Sequence, residues 1–439
     1  MTTSHHSNIA CPHIIVISIY IEMLPLNQVI SRQSHVGLAG YVLKASICHK
    51  SRLPPKTSNY RWPYETRPFA IWNFFLDPFT KKKFDENSRI IQIEGNVAAG
   101  KEDVGRRLAD QLGMLYMPAV DLDNYYINNH GFDYRAFNVL LPERMRHCDW
   151  AMFHENPSRH SVIHMQHFLF KIRLYQYVDA LRHLFNTGQG VVMHRSVYTE
   201  RVFVEAMHNL GWLPMGYMRG DGMRFYDWKL RYYYIRNLAL ACCRKPHLTI
   251  YLDTPVDVCL DRIKNDPDPK RVNSKALTRE FLENIEAAYE NVVLPRQDQH
   301  GHLLRVDASE RLTDDQIMDI VDDIEDLDFE YDPHDTRFED WKPRGYFWYH
   351  KNRRVYSTLK CLEITKWLDQ PMYDIAGLGD SITQVDIKKR IACYEGHVSQ
   401  YGWNQDYHSD PKVHGWLKSL LHYYRFNERL DYYRRSDFL

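Results

Sequence analysis

One short glycine-containing segment constrains this chain of 439 residues more than any other feature. A β-branched run at residues 89–94 leads into G-N-V-A-A-G-K at 95–101, and apolar residues with helical spacing follow. Strand, glycine loop and helix in this order are the context that a P-loop requires. Backbone N–H groups in such a loop turn toward an anion at the helix N-terminus, and the lysine reaches its phosphates. The segment therefore predicts a phosphate-binding loop with candidate contacts at Gly95, Asn96, Ala98, Gly100 and Lys101.

Two later segments have the same strand-then-helix character. Residues 190–193 read G-V-V-M and end in His194-Arg195-Ser196, and residues 247–253 precede a helical stretch at 256–264. Strands that alternate with helices of this length form parallel βαβ units, and ligands bind at the carboxyl ends of the strands. We therefore predict an α/β fold, a P-loop kinase-like doubly wound parallel sheet flanked by helices, with all three motifs at one cleft.

Composition excludes several classes of protein. Lys+Arg and Asp+Glu number 56 each, with 44% hydrophobic residues, so the chain is neither disordered throughout nor a wholesale polyanion binder. Its longest apolar stretch, near residues 14–21, is far short of the roughly 20 residues that cross a bilayer. Eight cysteines without a CxxC pair fit neither a disulfide framework nor a zinc ribbon. We predict a reducing compartment and no metal site.

Over residues 89–328 the chain resembles the deoxynucleoside kinase family. The matching segments, in order, are 95–101, the helix with Gln166 and Y-Q-Y-V-D-A-L at 175–181, 187–198, and 251–262. The resemblance implies that Gln166 reads a nucleobase edge and that Arg195 and Arg262 can hold a phosphate. A lone glutamine on an apolar helix is equally well explained as a satisfied core amide, so both interpretations of Gln166 stay open.

Four departures from that family weaken the chemistry of phosphoryl transfer. Met117 stands where the resemblance implies a glutamate base, and Glu102 replaces the hydroxyl residue that ligates magnesium. His194 replaces the acid before Arg-Ser, and the lid carries Asp266 and Asp268 where active members have arginines. Because a cationic clamp contributes about 10³ to 10⁵ in rate, we assign no catalytic residue and predict a degenerate active site.

Several phrases resemble one branch of the family more closely. They are F-D-E-N-S at 84–88, T-G-Q-G-V-V at 187–192, V-E-A-M at 204–207, K-P-H-L at 245–248 and I-E-A-A-Y at 285–289. Members of this branch are accessory subunits of mitochondrial respiratory complex I. The resemblance implies a non-catalytic role in assembly or stability on the matrix side of the inner membrane, with other complex I subunits as partners. FAD is attributed to the branch, but no motif here supports it. We predict no required cofactor, and the binding of a nucleotide stays open.

Two other functions remain open. An active mitochondrial deoxynucleoside kinase would need Asp121 or Asp123 as its base, in place of a solvated or capping role. A nucleotide sensor would bind without turnover and associate reversibly with partners. Nucleic acid is not predicted as a partner, because acidic residues are interspersed throughout the basic and aromatic C-terminal part.

The N-terminal region has a composition of its own. Between Met23 and Tyr64 there are six Lys and Arg and no acid, as in a mitochondrial transit peptide, although a basic tail is the alternative. We predict a leader at residues 1–64 with a true start at Met23, an extended segment at 65–88 and the kinase-like domain at 89–330. Without residues 1–64, the chain contains 50 Lys and Arg and 55 Asp and Glu.

Residues 331–439 are rich in aromatic rings, with 21 in 109 residues. The rings lie among Gly, Pro, Asp and Arg with little period, so they cannot form a core of their own. Large amphipathic rings with arginine dominate protein interfaces. We predict an extended aromatic-rich docking tail, and the alternative is that the segment wraps back over the kinase-like domain.

Overall fold

The computed structural model describes residues 47–49, 83–127, 133–139, 146–159, 161–213, 236–237, 240, 243–344 and 347–357. The proposed start at Met23, nearly all of the predicted leader, and the segment from residue 358 onward lie outside these residues. Within the described part, every helix is too short or too polar to cross a bilayer.

Five parallel strands form one sheet, in the order β2-β3-β1-β4-β5. The strands are β1 (Ile90–Gly95), β2 (Leu115–Met117), β3 (Val191–His194), β4 (Leu248–Asp253) and β5 (His302–Asp307). Neighbours of β1 come from far along the chain, since Ile90 lies opposite Val191 and Ile91 opposite Leu248. The predicted doubly wound parallel sheet is confirmed.

Helices connect the strands. They are α1 (Lys101–Leu112), α2 (Asp123–Tyr126), α3 (Trp150–Glu155), α4 (Val162–Thr187), α5 (Arg201–Asn209), α6 (Val256–Lys264), α7 (Pro269–Val272), α8 (Arg279–Ala288), α9 (Leu294–Asp298), α10 (Asp314–Glu325) and α11 (Trp348–Ser357). Short 3₁₀ turns occupy Tyr134–Val139 and Glu339–Trp341, and a π-helical turn spans Tyr289–Val293.

The sheet separates two hydrophobic cores. One contains Ile91, Ile93 and the apolar sides of α1 and α10, and the other contains Ile90, Val191 and the apolar sides of α4, α5 and α8. Successive residues of a strand point to opposite faces, which explains why neighbours such as Ile90 and Ile91 belong to different cores. Both faces are covered, as a buried parallel sheet requires, and the carboxyl ends of the strands are left to form a site.

The last helix of the described residues, α11, packs against α4. Phe185 of α4 lies 5.8 Å from the ring of Trp348 and 5.6 Å from that of Tyr356, measured between centroids. The buried Arg353 donates from Nε to Oδ1 of Asn186 at 3.0 Å. Residues 348–357 therefore follow the alternative in which the C-terminal segment wraps back over the domain. The docking role of the segment from residue 358 stays a prediction.

His247, just before β4, makes stability sensitive to pH. Its buried ring accepts a hydrogen bond at Nδ1 from the backbone N–H of Ile90 at 3.0 Å, and it lies against Trp341. Burial holds the pKa of His247 well below its usual value, and the nearby Arg89 and His302 lower it further. Protonation would also remove the acceptor that Ile90 uses.

We expect the free energy of unfolding to fall as pH drops below about 6.5. Below that value the unfolded chain binds a proton at His247 that the folded chain refuses, so stability is full above it and is lost on acidification. The slope from this residue reaches about 1.36 kcal/mol per pH unit. Urea unfolding at several pH values checks this: His247→Asn should flatten the slope, whereas the same change at the exposed His334 should not. Equal slopes in both variants would refute the assignment.

Candidate nucleotide site

The loop between β1 and α1 has the backbone conformation that binds anions. Gly95 has φ 146° and Gly100 has φ 87°, both in the region that favours glycine. At Gly95 a Cβ atom would also lie 2.8 Å from the carbonyl oxygen of Leu252 on β4. The N-terminus of α1, with its free N–H groups, follows directly at Lys101. The predicted strand, glycine loop and helix are all present.

Lys101 is buried beneath this loop. Its Nζ donates to the carbonyl oxygen of Gly95 at 3.3 Å and to that of Asn96. Asn96 is fixed in turn, since its Nδ2 donates to the carbonyl oxygen of Leu282 at 3.1 Å. Burial holds the pKa of Lys101 well below its usual value, and the positive charge of Arg195 lowers it further. An anion in the loop would relieve this penalty.

Two further cations, Arg195 and Arg262, reach the same loop. Arg195 donates from Nη2 to the carbonyl oxygen of Gly95 at 3.2 Å and lies over the Phe203 ring at 4.4 Å. Its backbone is left-handed, with φ 64°, a strained conformation for a residue with a side chain. Arg262 donates from Nη1 to the carbonyl oxygen of Ala98 at 3.2 Å. Lys101, Arg195 and Arg262 thus converge on one loop.

A buried carboxylate, Glu94, balances part of this charge. Its Oε1 accepts from the backbone N–H of Ser196 at 3.0 Å and from Thr199 Oγ1 at 2.8 Å. Its Oε2 accepts from the hydroxyl of Tyr289, in the π-helical turn, at 2.9 Å. Burial raises the pKa of Glu94, and Arg195 opposes that effect. Sequence analysis missed its role, although an acid inside an apolar strand next to the loop was the available signal.

Gln166 and a buried ion pair lie along α4. Gln166 is 2% exposed, and its Oε1 has no hydrogen-bond partner among the described residues. Two turns further along, Arg173 Nε lies 2.5 Å from Glu200 Oε2, with side chains 6% and 2% exposed. The amide oxygens of Gln92 and Gln176 are buried without a partner in the same way, so both interpretations of Gln166 stay predictions. The Arg173–Glu200 pair was missed by sequence reasoning.

Three of the positions predicted to be degenerate lie in different surroundings. Met117 ends β2 and is buried in the core that contains α4. Glu102 is exposed and pairs with Arg106, one turn along α1, at 2.7 Å. Burial holds the pKa of His194 well below its usual value, and Lys101 and Arg195 lower it further, so its ring is neutral. Met117 and Glu102 are thus engaged in packing and in a surface ion pair, and His194 is a buried neutral imidazole.

The acidic side chains of the lid after α6 are engaged within the lid itself. Asp266 pairs with Arg271 at 2.5 Å, and Asp268 caps α7 by accepting from the N–H of Lys270 at 3.0 Å. The Arg271 guanidinium, which sequence reasoning passed over, is thereby paired with an acid of the same lid. Nδ1 of His154, in α3, lies 2.8 Å from Oγ of Ser274, just after α7. The lid offers no unpaired arginine clamp among these residues.

The two substitute bases considered from the sequence lie beyond β2. Asp123 pairs with Arg135 at 2.7 Å. Asp121 is exposed, and its Oδ1 accepts from the N–H of Asp123 at 3.1 Å. Asp121 thus has the solvated role that the sequence left as the alternative, whereas Asp123 is ion-paired. Among the described residues, no three His, Cys, Asp or Glu side chains are placed to hold a metal ion.

Comparison with known proteins agrees with this geometry. The deoxynucleoside kinase family model matches residues 91–327. NADH dehydrogenase [ubiquinone] 1 alpha subcomplex subunit 10, mitochondrial, of Rattus norvegicus is 31% identical over 70% of this chain and 78% of its own length. Deoxyguanosine kinase of Dictyostelium discoideum is 25% identical over 52% of this chain and 67% of its own.

Among solved structures, deoxyadenosine kinase from M. mycoides with bound dATP is 17% identical and superimposes with a TM-score of 0.38. That alignment covers 54% of this chain and 98% of the kinase. The matched residues of the family model include the glycine loop, β3, β4 and the lid. The chain belongs to the deoxynucleoside kinase family, together with the alpha subcomplex subunit 10 proteins of NADH dehydrogenase.

Proposed function

We propose that this chain is a non-catalytic accessory subunit of mitochondrial respiratory complex I, on the matrix side of the inner membrane. In this proposal the kinase fold keeps its nucleotide pocket, has lost phosphoryl transfer, and supports the assembly or stability of the complex. The similarity to the rat subunit supports the assignment to the complex. Because the chain is also similar to a deoxyguanosine kinase, the proposed loss of activity needs a structural argument.

One observation carries that argument: the carboxylates that come into question as a base already have partners. Glu94 accepts three hydrogen bonds, Glu200 is paired with Arg173, and Asp123 is paired with Arg135. A general base must be within hydrogen-bond reach of the hydroxyl that it deprotonates and must have a lone pair to receive the proton. At the end of β2 the chain places the thioether of Met117 instead. The arrangement supports binding without transfer.

Retention of a nucleotide is supported by the charge balance of the pocket. Lys101 and Arg195 both donate to the carbonyl oxygen of Gly95, so these two cations lie close together. Glu94 and Glu200 offset only part of this charge. A phosphate group would complete the balance, and a ligand at 100 times its dissociation constant would stabilise the fold by about 2.7 kcal/mol. We propose a bound nucleotide as a structural ligand, with no redox cofactor required.

Contacts with other subunits are proposed for the two ends of the chain. Since α11 is already packed against α4, the aromatic segment from residue 358 onward and the part of the 65–88 segment that precedes residue 83 are the proposed docking regions. Their aromatic rings and arginines are residue types enriched in interface hot spots. The experiment that tests the assignment is native electrophoresis of mitochondria dissolved in mild detergent. The chain should migrate with a large NADH-oxidising complex, and migration only as a free monomer or dimer would overturn the proposal.

The pocket itself is tested with purified protein and a panel of ribo- and deoxynucleoside triphosphates. We expect at least one triphosphate to raise the melting temperature, and Lys101→Ala to abolish that shift because it removes the buried ammonium group. Lys264→Ala is the matched control, since this lysine is exposed on α6 and pairs with Asp261. We also expect no transfer of phosphate to any deoxynucleoside. Turnover that disappears in Lys101→Ala would establish the alternative, an active kinase.

A further inference from the structure

Residue Ile47 lies inside the predicted leader yet is part of the domain. Its side chain is 0% exposed and belongs to the core between the sheet, α1 and α10. Leu108 and Leu112 from α1, and Ile317 and Ile324 from α10, are in the same core. Burying an isoleucine side chain removes a large apolar area from water, so this residue contributes to the stability of the domain.

Cys48 is clamped by Asn87, in the loop before β1. The backbone N–H of Cys48 donates to Oδ1 of Asn87 at 2.8 Å, and Nδ2 of Asn87 donates back to the carbonyl oxygen of Cys48 at 2.6 Å. The same Nδ2 donates to the carbonyl oxygen of Leu112, at the end of α1, at 2.8 Å. One buried side chain thereby joins residue 48, the start of β1 and the end of α1.

His49 extends the contact to α10. Its backbone N–H donates to Oε1 of Glu325 at 2.5 Å, and its ring Nε2 lies 2.8 Å from Oε1 of Gln111. Glu325 belongs to the last turn of α10, where a carboxylate is unfavourable to the helix dipole. A hydrogen bond from His49 offsets part of that penalty. Residues 47–49 therefore bridge the ends of the two helices that cover one face of the sheet.

We propose that residues 47–49 are a permanent anchor of the mature domain, so that processing of the leader stops before Ile47. The position of the processing site depends on the proposed function only in that the chain must be imported into mitochondria. The anchor itself rests on the contacts of Ile47, Cys48 and His49. Retaining residues 47–64 keeps four of the six basic residues of the leader, namely Lys50, Arg52, Lys56 and Arg61. The mature chain would then carry 54 Lys and Arg against 55 Asp and Glu, close to neutrality.

The processing site is tested by sequencing the N-terminus of the protein isolated from mitochondria of its own source. The expected mature chain begins at or before Ile47. A mature chain that begins after His49 would overturn the proposal, because it would lack the anchor altogether. A protein that is absent from mitochondria would overturn the proposed function instead and would leave the anchor to the second test.

The anchor is tested in the full-length chain, with the melting temperature as the readout. We expect Ile47→Asp to lower it by at least about 5 °C, because a carboxylate replaces a buried apolar side chain. Ile47→Leu conserves volume and polarity and should shift it by less than half as much. Ile47→Ala gives a milder loss if the aspartate variant does not fold. Melting temperatures unchanged in both the Asp and Ala variants would show that residue 47 is not anchored.

Discussion

Arg173→Met is expected to lower the free energy of unfolding by about 3–5 kcal/mol, among the largest effects that one substitution can have in this protein. The change removes the guanidinium that lies 2.5 Å from Glu200 while keeping most of the apolar volume. Glu200 is then left as a buried carboxylate without its cation, and the cost of its desolvation is no longer offset. Urea unfolding of the purified variant measures the loss.

A double-variant cycle separates the charge from the packing. Replacing both members, as Arg173→Met with Glu200→Leu, should recover most of the lost stability, because no unpaired charge remains. The matched control is Arg106→Met, which removes an arginine from the exposed pair with Glu102 and should cost under about 1 kcal/mol. If the double variant is as unstable as Arg173→Met, the buried charge is not the cause of the loss.

Phe185→Ala is the second large expected effect, a loss of about 3–5 kcal/mol. The fully buried ring contacts Phe84, Trp341, Trp348 and Tyr356, with centroids 5.6–6.1 Å away. Its removal leaves a cavity between α4 and α11 and takes away the aromatic contacts that hold the C-terminal helix. We therefore expect limited proteolysis to cut near α11 sooner in the variant than in the native chain.

Phe347→Ala is the control, because this ring precedes α11 and is 61% exposed. It should change stability by less than about 0.5 kcal/mol and leave the rate of cleavage unaltered. Equal losses in the two variants would mean that the aromatic composition of the segment, rather than its packing on Phe185, determines stability. Native stability in Phe185→Ala would contradict the packing of α11 described above.

The parts of the fold that sequence reasoning found are those with strong local patterns. β1, β3 and β4 are buried, β-branched runs, and the loop after β1 carries its own signature of glycines and lysine. β5 was missed because it is an edge strand whose polar residues, such as His302 and Arg305, make it half-exposed and locally similar to a loop. The packing position of α11 could not be predicted from the sequence either, because its partner α4 lies far away along the chain.

The residues of the site also fall into those that local sequence patterns indicate and those that they do not. Lys101, Arg195 and Arg262 could be placed because each follows a strand whose end lies at one edge of a parallel sheet. Glu94 and Tyr289, or Arg173 and Glu200, are defined by their mutual contact. Tyr289 is 195 residues from Glu94, and no local pattern couples them. Which acidic side chains lie next to the cations of the site is therefore determined by the tertiary structure and not by the local sequence.

The parallel strand order also determines how this chain must fold. β1 is central, yet its neighbours β3 and β4 begin 101 and 158 residues after it. Loop closure over such distances makes folding slow and leaves apolar strands unpaired in the meantime. A chain that enters a compartment N-terminus first therefore presents β1 long before its partners arrive. Until those partners are present, the apolar residues of β1 have no strand to pair with, and this interval is when aggregation competes with folding.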